Sequence, residues 1–84
     1  MARVTFTRHA TEKFELLSTF GFELSRDQVI NAITAPDKTE RRDVQTFSMK
    51  VLDKEVALRV VHEERKGIIV VITFYPVRRK KYGL

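Results

Sequence analysis

The chain contains no cysteine, which excludes disulfides and thiolate metal sites and leaves its redox compartment unmarked. Glycine is scarce, at three residues, and no glycine-rich phosphate loop is present. No HExxH helix and no G-x-S-x-G elbow occur either, so nucleotide triphosphatases, zinc proteases and serine hydrolases lack their required parts. No apolar run approaches the roughly 18 residues that cross a bilayer. The opening segment Met1-Ala2-Arg3-Val4-Thr5-Phe6 has no long apolar stretch, so export is not expected. A cytoplasmic protein without membrane contact is the expectation. With two histidines far apart in sequence, no metal and no other cofactor is expected.

What is present fits one folded domain. Eighty-four residues are too few to give two domains adequate cores. A 43% hydrophobic fraction is too rich in Val, Ile, Leu and Phe for a disordered chain. The net charge is +5, and Arg78, Arg79, Lys80 and Lys81 carry most of the excess. Without those four, twelve basic residues face eleven acidic ones. Residues 77–84 therefore read as a cationic tail on a nearly neutral body, suited to phosphates or an acidic protein surface, or serving solubility alone.

Periodicity divides the chain in two. Val4 and Phe6 alternate with Arg3, Thr5 and Thr7 as in a half-buried strand. Thr7 can cap a helix over Arg8 to Phe20, with Ala10, Phe14 and Leu17 on one face and Gly21 as its stop. Ser25 and Gln28 spell a capping box, and Leu24 and Val29 a hydrophobic staple, for a second helix that Pro36 ends.

Strand periodicity follows. Phe47, Met49 and Val51 alternate with polar residues, and Asp53-Lys54 supplies a turn. Val56 to Glu63 alternates again and closes at Arg65-Lys66-Gly67. Ile68 to Tyr75 reads as a central strand covered on both faces, stopped by Pro76. A further short strand over Lys38 to Arg42 is weakly indicated. Helices followed by strands predict an α+β fold, β-α-α-β-β-β with one additional strand admitted, the helices on one face of the sheet.

Arg59 is the residue that fits the pattern least. It interrupts an apolar strand on the face opposite Val60. Charged residues in such positions pair, sit at an edge or line a pocket. Glu55, Glu63 and Asp43 are the carboxylates that could pair with it, while Thr73 and Tyr75, on one face of the next strand, could flank it in a pocket. His9 and Glu12 share a helix face and suit either general acid–base work or an ordinary surface. His62 groups with Val56, Leu58 and Val60 as a core histidine. Tyr82, next to the basic run, can stack on a base while Arg78 to Lys81 hold phosphates, or can pack the tail against the domain. Single-stranded RNA suits that combination better than a DNA groove.

Four segments carry a family resemblance: Phe6-Thr7-Arg8-His9-Ala10; Ser25 to Ile33 leading into Pro36-Asp37; Leu58-Arg59-Val60-Val61; and Val70 to Pro76. They resemble a small prokaryotic domain-of-unknown-function family, similar in layout to the RelE, ParE, HigB and BrnT toxins of toxin–antitoxin systems. The resemblance implies a RelE-like antiparallel sheet with two N-terminal helices on one face and a basic, concave opposite face. It implies a metal-independent endoribonuclease acting on ribosome-associated mRNA, a cognate acidic antitoxin, and a homodimer as an admitted assembly. Arg59 would match the phosphate clamp and Tyr82 the near-terminal aromatic. His9 or Glu12 would serve as base or acid if the first helix reaches that face, and Thr73, Tyr75 and the basic run would bind RNA. A non-catalytic RNA- or protein-binding module and a ParE-like topoisomerase inhibitor share the same resemblance.

Overall fold

Thr7 fixes where the first helix begins. Its hydroxyl accepts the N–H of Ala10 at 3.1 Å and donates to the carbonyl of Ile72, also at 3.1 Å, so one side chain caps a helix and anchors it to a distant strand. The computed structural model describes residues 3–84 and runs β1 (Arg3–Phe6), α1 (Arg8–Thr19), α2 (Arg26–Thr34), β2 (Lys38–Arg42), β3 (Gln45–Val51), β4 (Val56–Arg65) and β5 (Ile68–Arg78), closing in a 3₁₀ turn (Arg79–Tyr82).

Both helices end where local chemistry dictates. At the end of α1 the N–H of Phe22 bonds the carbonyl of Leu17 and that of Gly21 the carbonyl of Ser18, with Gly21 at φ 88°. This is the Schellman pattern, and Leu17 and Phe22 supply its apolar contact. The capping box of α2 is formed in both directions between Ser25 and Gln28, and Leu24 and Val29 both join the core beneath it.

The strands form one sheet in the order β1-β5-β4-β3-β2. The sheet is mixed, which corrects the antiparallel expectation: β1 lies parallel to β5, while the other neighbours are antiparallel. Alternation reports which face a residue occupies and carries no strand direction. Direction follows from the path of the chain. The helix pair delivers β2 to the far edge running opposite to β1, and three reversals later β5 arrives beside β1 in its own direction. The weakly indicated strand is present as β2.

Two further readings of β5 are corrected. It continues through Pro76 to Arg78, because β1 pairs only as far as Val71 and the outer edge beyond is free, where a missing N–H costs no ladder bond. Nor is β5 the strand covered on both faces. Only Val71 and Phe74 of it are buried, whereas β4 buries Ala57, Leu58, Val60, Val61 and His62. The helices cover one face alone, so the middle of the sheet is the driest position. The register slips by one residue beside Val61 and His62, which leaves Ile72 unpaired as a β-bulge.

Leu58, Val60, Val71 and Phe74 meet Ala10, Leu17, Val29 and Ala32 of the helices to form the core. Phe14 packs against Phe74 with the ring centroids 4.6 Å apart and the planes tilted by 54°. His62 is buried on this face, 2.8 Å from the hydroxyl of Ser48, as expected of a core histidine. Among the described residues no helix is long and apolar enough to cross a membrane.

Candidate functional site

The opposite face of the sheet carries Arg59. Pairing aligns Lys38, Met49, Arg59 and Tyr75 as one row across β2, β3, β4 and β5, and residues opposite one another share a face. Val60 faces the helices, so period two turns Arg59 away from them.

There the guanidinium is enclosed by aromatic rings. Its Cζ lies 4.5 Å from the centroid of Phe47, 4.9 Å from Tyr82 and 6.0 Å from Tyr75, within cation–π range. Nη1 donates to both phenol oxygens, Tyr75 and Tyr82, at 3.1 Å each. Nε is buried without a hydrogen-bond partner. The carboxylates expected as structural partners go elsewhere. Glu55 pairs with Arg78 and Glu63 with Arg65, and no carboxylate among the described residues forms a salt bridge with Arg59 or involves Asp43. A half-buried cation therefore stands against neutral acceptors only, and its charge remains uncompensated.

The 3₁₀ turn brings Tyr82 to this place. The carbonyl of Tyr82 accepts a bond from Lys38 Nζ while its hydroxyl meets Arg59, so β2 and β4 together hold the turn over the sheet. Residues 77–84 are thus no loose tail. Val77 and Arg78 belong to β5, and the N–H of Leu84 bonds back to the carbonyl of Arg79. Arg78 is exposed beside Glu55 at 3.6 Å. Arg79 spends Nη1 on the carbonyls of Asp53 and Lys54. Lys80 and Lys81 are exposed, and among the described residues neither makes a salt bridge.

The remaining candidates divide. Thr73 pairs with Val61, two residues from Tyr75 on the same strand, and its hydroxyl lies 3.2 Å from His9 Nε2. The first turn of α1 thus reaches over the free edge of β5 to the neighbourhood of the Arg59 row. Glu12 is not brought there. It bonds Arg8 at 3.2 Å and, with His9, Lys13, Glu15, Leu16 and Thr19, lines an open depression of about 420 Å³ along α1. His9 is at the junction of the two surfaces.

Two contributors lay beyond the sequence reading. Phe47 forms one wall of the Arg59 cage; its alternation marked a strand face but could not say that Arg59 shares it. Lys38 meets Tyr82 across 44 residues, a contact with no local signal. Among the described residues no three His, Asp or Glu side chains gather as a metal-ligand set. No family model, curated protein or solved structure significantly matches the chain.

Proposed function

We propose that this protein is a metal-independent endoribonuclease of the RelE-like toxin type, with Arg59 as its phosphate clamp. The observation that carries the reading is the uncompensated Arg59 guanidinium, held between Tyr75 and Tyr82 on the helix-free face. A phosphodiester is the partner such a fork suits, since charge-assisted bonds to phosphate oxygens are the strong ones. Exposed Lys80 and Lys81 beside Tyr82, and Arg42 stacked over Phe47 at 5.7 Å, extend the cationic border for a single strand, and the tyrosine faces can stack bases.

In the proposed reaction the ribose 2′-oxygen attacks the adjacent phosphorus and the 5′-oxygen leaves, giving a 2′,3′-cyclic phosphate. Arg59 stabilises the negative charge that builds on the non-bridging oxygens. In this reading the Tyr82 hydroxyl, whose oxygen accepts a hydrogen bond from Arg59, gives a proton to the leaving oxygen. His9, coupled to the face through Thr73, is the imidazole available to take the 2′-hydroxyl proton. Glu12, occupied by Arg8, takes no part.

The test is incubation of the pure protein with RNA in excess chelator, free and on translating ribosomes, beside Arg59→Met and Tyr82→Phe. Cleavage that survives chelation and is lost in Arg59→Met supports the proposal; intact RNA in every condition defeats it. The position of Glu12 favours a second reading, a binding module of the same fold without catalysis, because only one proton-transfer side chain from α1 reaches the face. That reading predicts salt-sensitive RNA binding without products. Growth arrest with intact RNA would point instead to the ParE-like mode.

A further inference from the structure

Two buried side-chain nitrogens among the described residues lack a hydrogen-bond partner: Nε of Arg59 and Nε of Arg79. They mark a pair of half-buried arginines, and among the described residues neither forms a salt bridge. Arg59 belongs to the face already described. Arg79 belongs to a separate cavity of about 300 Å³, lined by Lys54, Glu55, Arg78, Arg79, Lys80 and Leu84. That volume lies at the small end of ligand-sized cavities.

Charge and geometry make this cavity an anion site. Four cations line it against two carboxylates, that of Glu55 and the α-carboxylate of Leu84, and Arg78 engages Glu55 at 3.6 Å on the surface. Asp53, just outside, is committed to the backbone: its Oδ1 accepts the N–H groups of Glu55 and Val56 at 2.8 Å. Those bonds, and to a lesser extent Arg79, hold its carboxyl below the usual carboxylate range. The guanidinium of Arg79 is oriented by the carbonyls of Asp53 and Lys54. Lys54 and Lys80 are exposed and, among the described residues, form neither a salt bridge nor a side-chain hydrogen bond.

We infer that this cavity receives a phosphate group, that of the nucleotide flanking the one held at Arg59. The inference rests on the proposed function for the identity of the strand. Arg79 opens the 3₁₀ turn and Tyr82 closes it, three residue steps or about 6 Å at a 3₁₀ rise. Tyr82 of the cage and Arg79 of the cavity thus stand at the two ends of one turn, so a strand lying along that turn would meet the cage and then the cavity. The cavity contributes binding and register, and no chemistry.

The experiment titrates the full-length ¹⁵N-labelled chain with a 2′-O-methyl RNA tetranucleotide, which cannot be cleaved, and separately with inorganic phosphate. The expected result is saturable shifts of the Lys54, Glu55, Arg79 and Lys80 amides together with those of Arg59 and Tyr82. In Lys54→Ala/Lys80→Ala the cavity resonances should respond about tenfold more weakly to the tetranucleotide, while those of Arg59 still shift. Both lysines are exposed, so the fold should be kept. Shifts confined to Arg59, Tyr75 and Tyr82 would overturn the cavity site and leave the proposed function standing. Shifts confined to the cavity would overturn the flanking role and the Arg59 clamp together. Saturation of the cavity by inorganic phosphate at the tetranucleotide's concentration would identify a free-anion site and also overturn the flanking role.

Discussion

The two faces of the sheet solve the problem of a titratable residue in opposite ways. On the helix face, His62 is buried with a neutral partner, Ser48, and burial pushes its pKa down, which favours its uncharged form. On the open face, three positions earlier on the same strand, the Arg59 guanidinium is met by three aromatic rings, two of them phenols that accept its hydrogen bonds, and among the described residues by no carboxylate. A face that neutralises its polar group serves stability. A face that preserves an unbalanced charge suits an anion, which is the reason the proposed function is put on the Arg59 side.

The largest expected effect breaks the helix face. Phe74→Ala removes a fully buried ring that packs on Phe14 and should cost about 3–5 kcal/mol of stability, measured by urea denaturation. The next acts on the open face alone. Arg59→Lys keeps a charge but loses the fork that binds both phenols, and should lower RNA cleavage about 10²-fold with little change in the unfolding midpoint. If Arg59→Lys instead unfolded the protein as Phe74→Ala does, the distinction between the faces would collapse.

Sequence patterning foretold the helix side of this comparison better than the open side. Thr7, Ser25, Gln28, Gly21 and Pro36 act within a few residues of themselves, so both helices could be placed from caps and stops alone. The oddity of Arg59 and its face were likewise legible, because period two is local. Strand direction was not, since β1 and β5 meet across the whole chain. Pro76 misled because its tolerance depends on where β1 stops. The basic run misled because Arg79 looked free in sequence and is held by carbonyls of the turn before β4. Tyr82 admitted two readings, and its contact with Arg59 bears out the packing one: the turn lies against the sheet on the Arg59 face, which is where the proposed function would have a phosphate bind.

Smaller effects sharpen the contrast. Tyr82→Phe removes one hydroxyl from the cage and should reduce cleavage about tenfold while costing about 1 kcal/mol or less in stability, read from parallel kinetics and melting. The pH response should belong to the helix face. Because the folded pKa of His62 lies below its ordinary 6.5, the unfolded chain binds more protons as pH falls through that value, and stability declines below it. Melting temperature should therefore drop between pH 7.5 and 5 and drop less in His62→Gln. Smallest of all, Glu12→Gln breaks only an exposed pair with Arg8, and should change stability by about 0.5 kcal/mol or less and cleavage not at all.

The central claim is that the charge of Arg59 is available to a phosphate. Its most direct test is the affinity of the wild-type and Arg59→Met proteins for one uncleavable single-stranded RNA, measured across a salt series with the fold of each checked by near-ultraviolet circular dichroism. The account predicts weaker binding by Arg59→Met and a salt slope shallower by about one phosphate contact. Equal affinities and equal slopes in two folded proteins would contradict it.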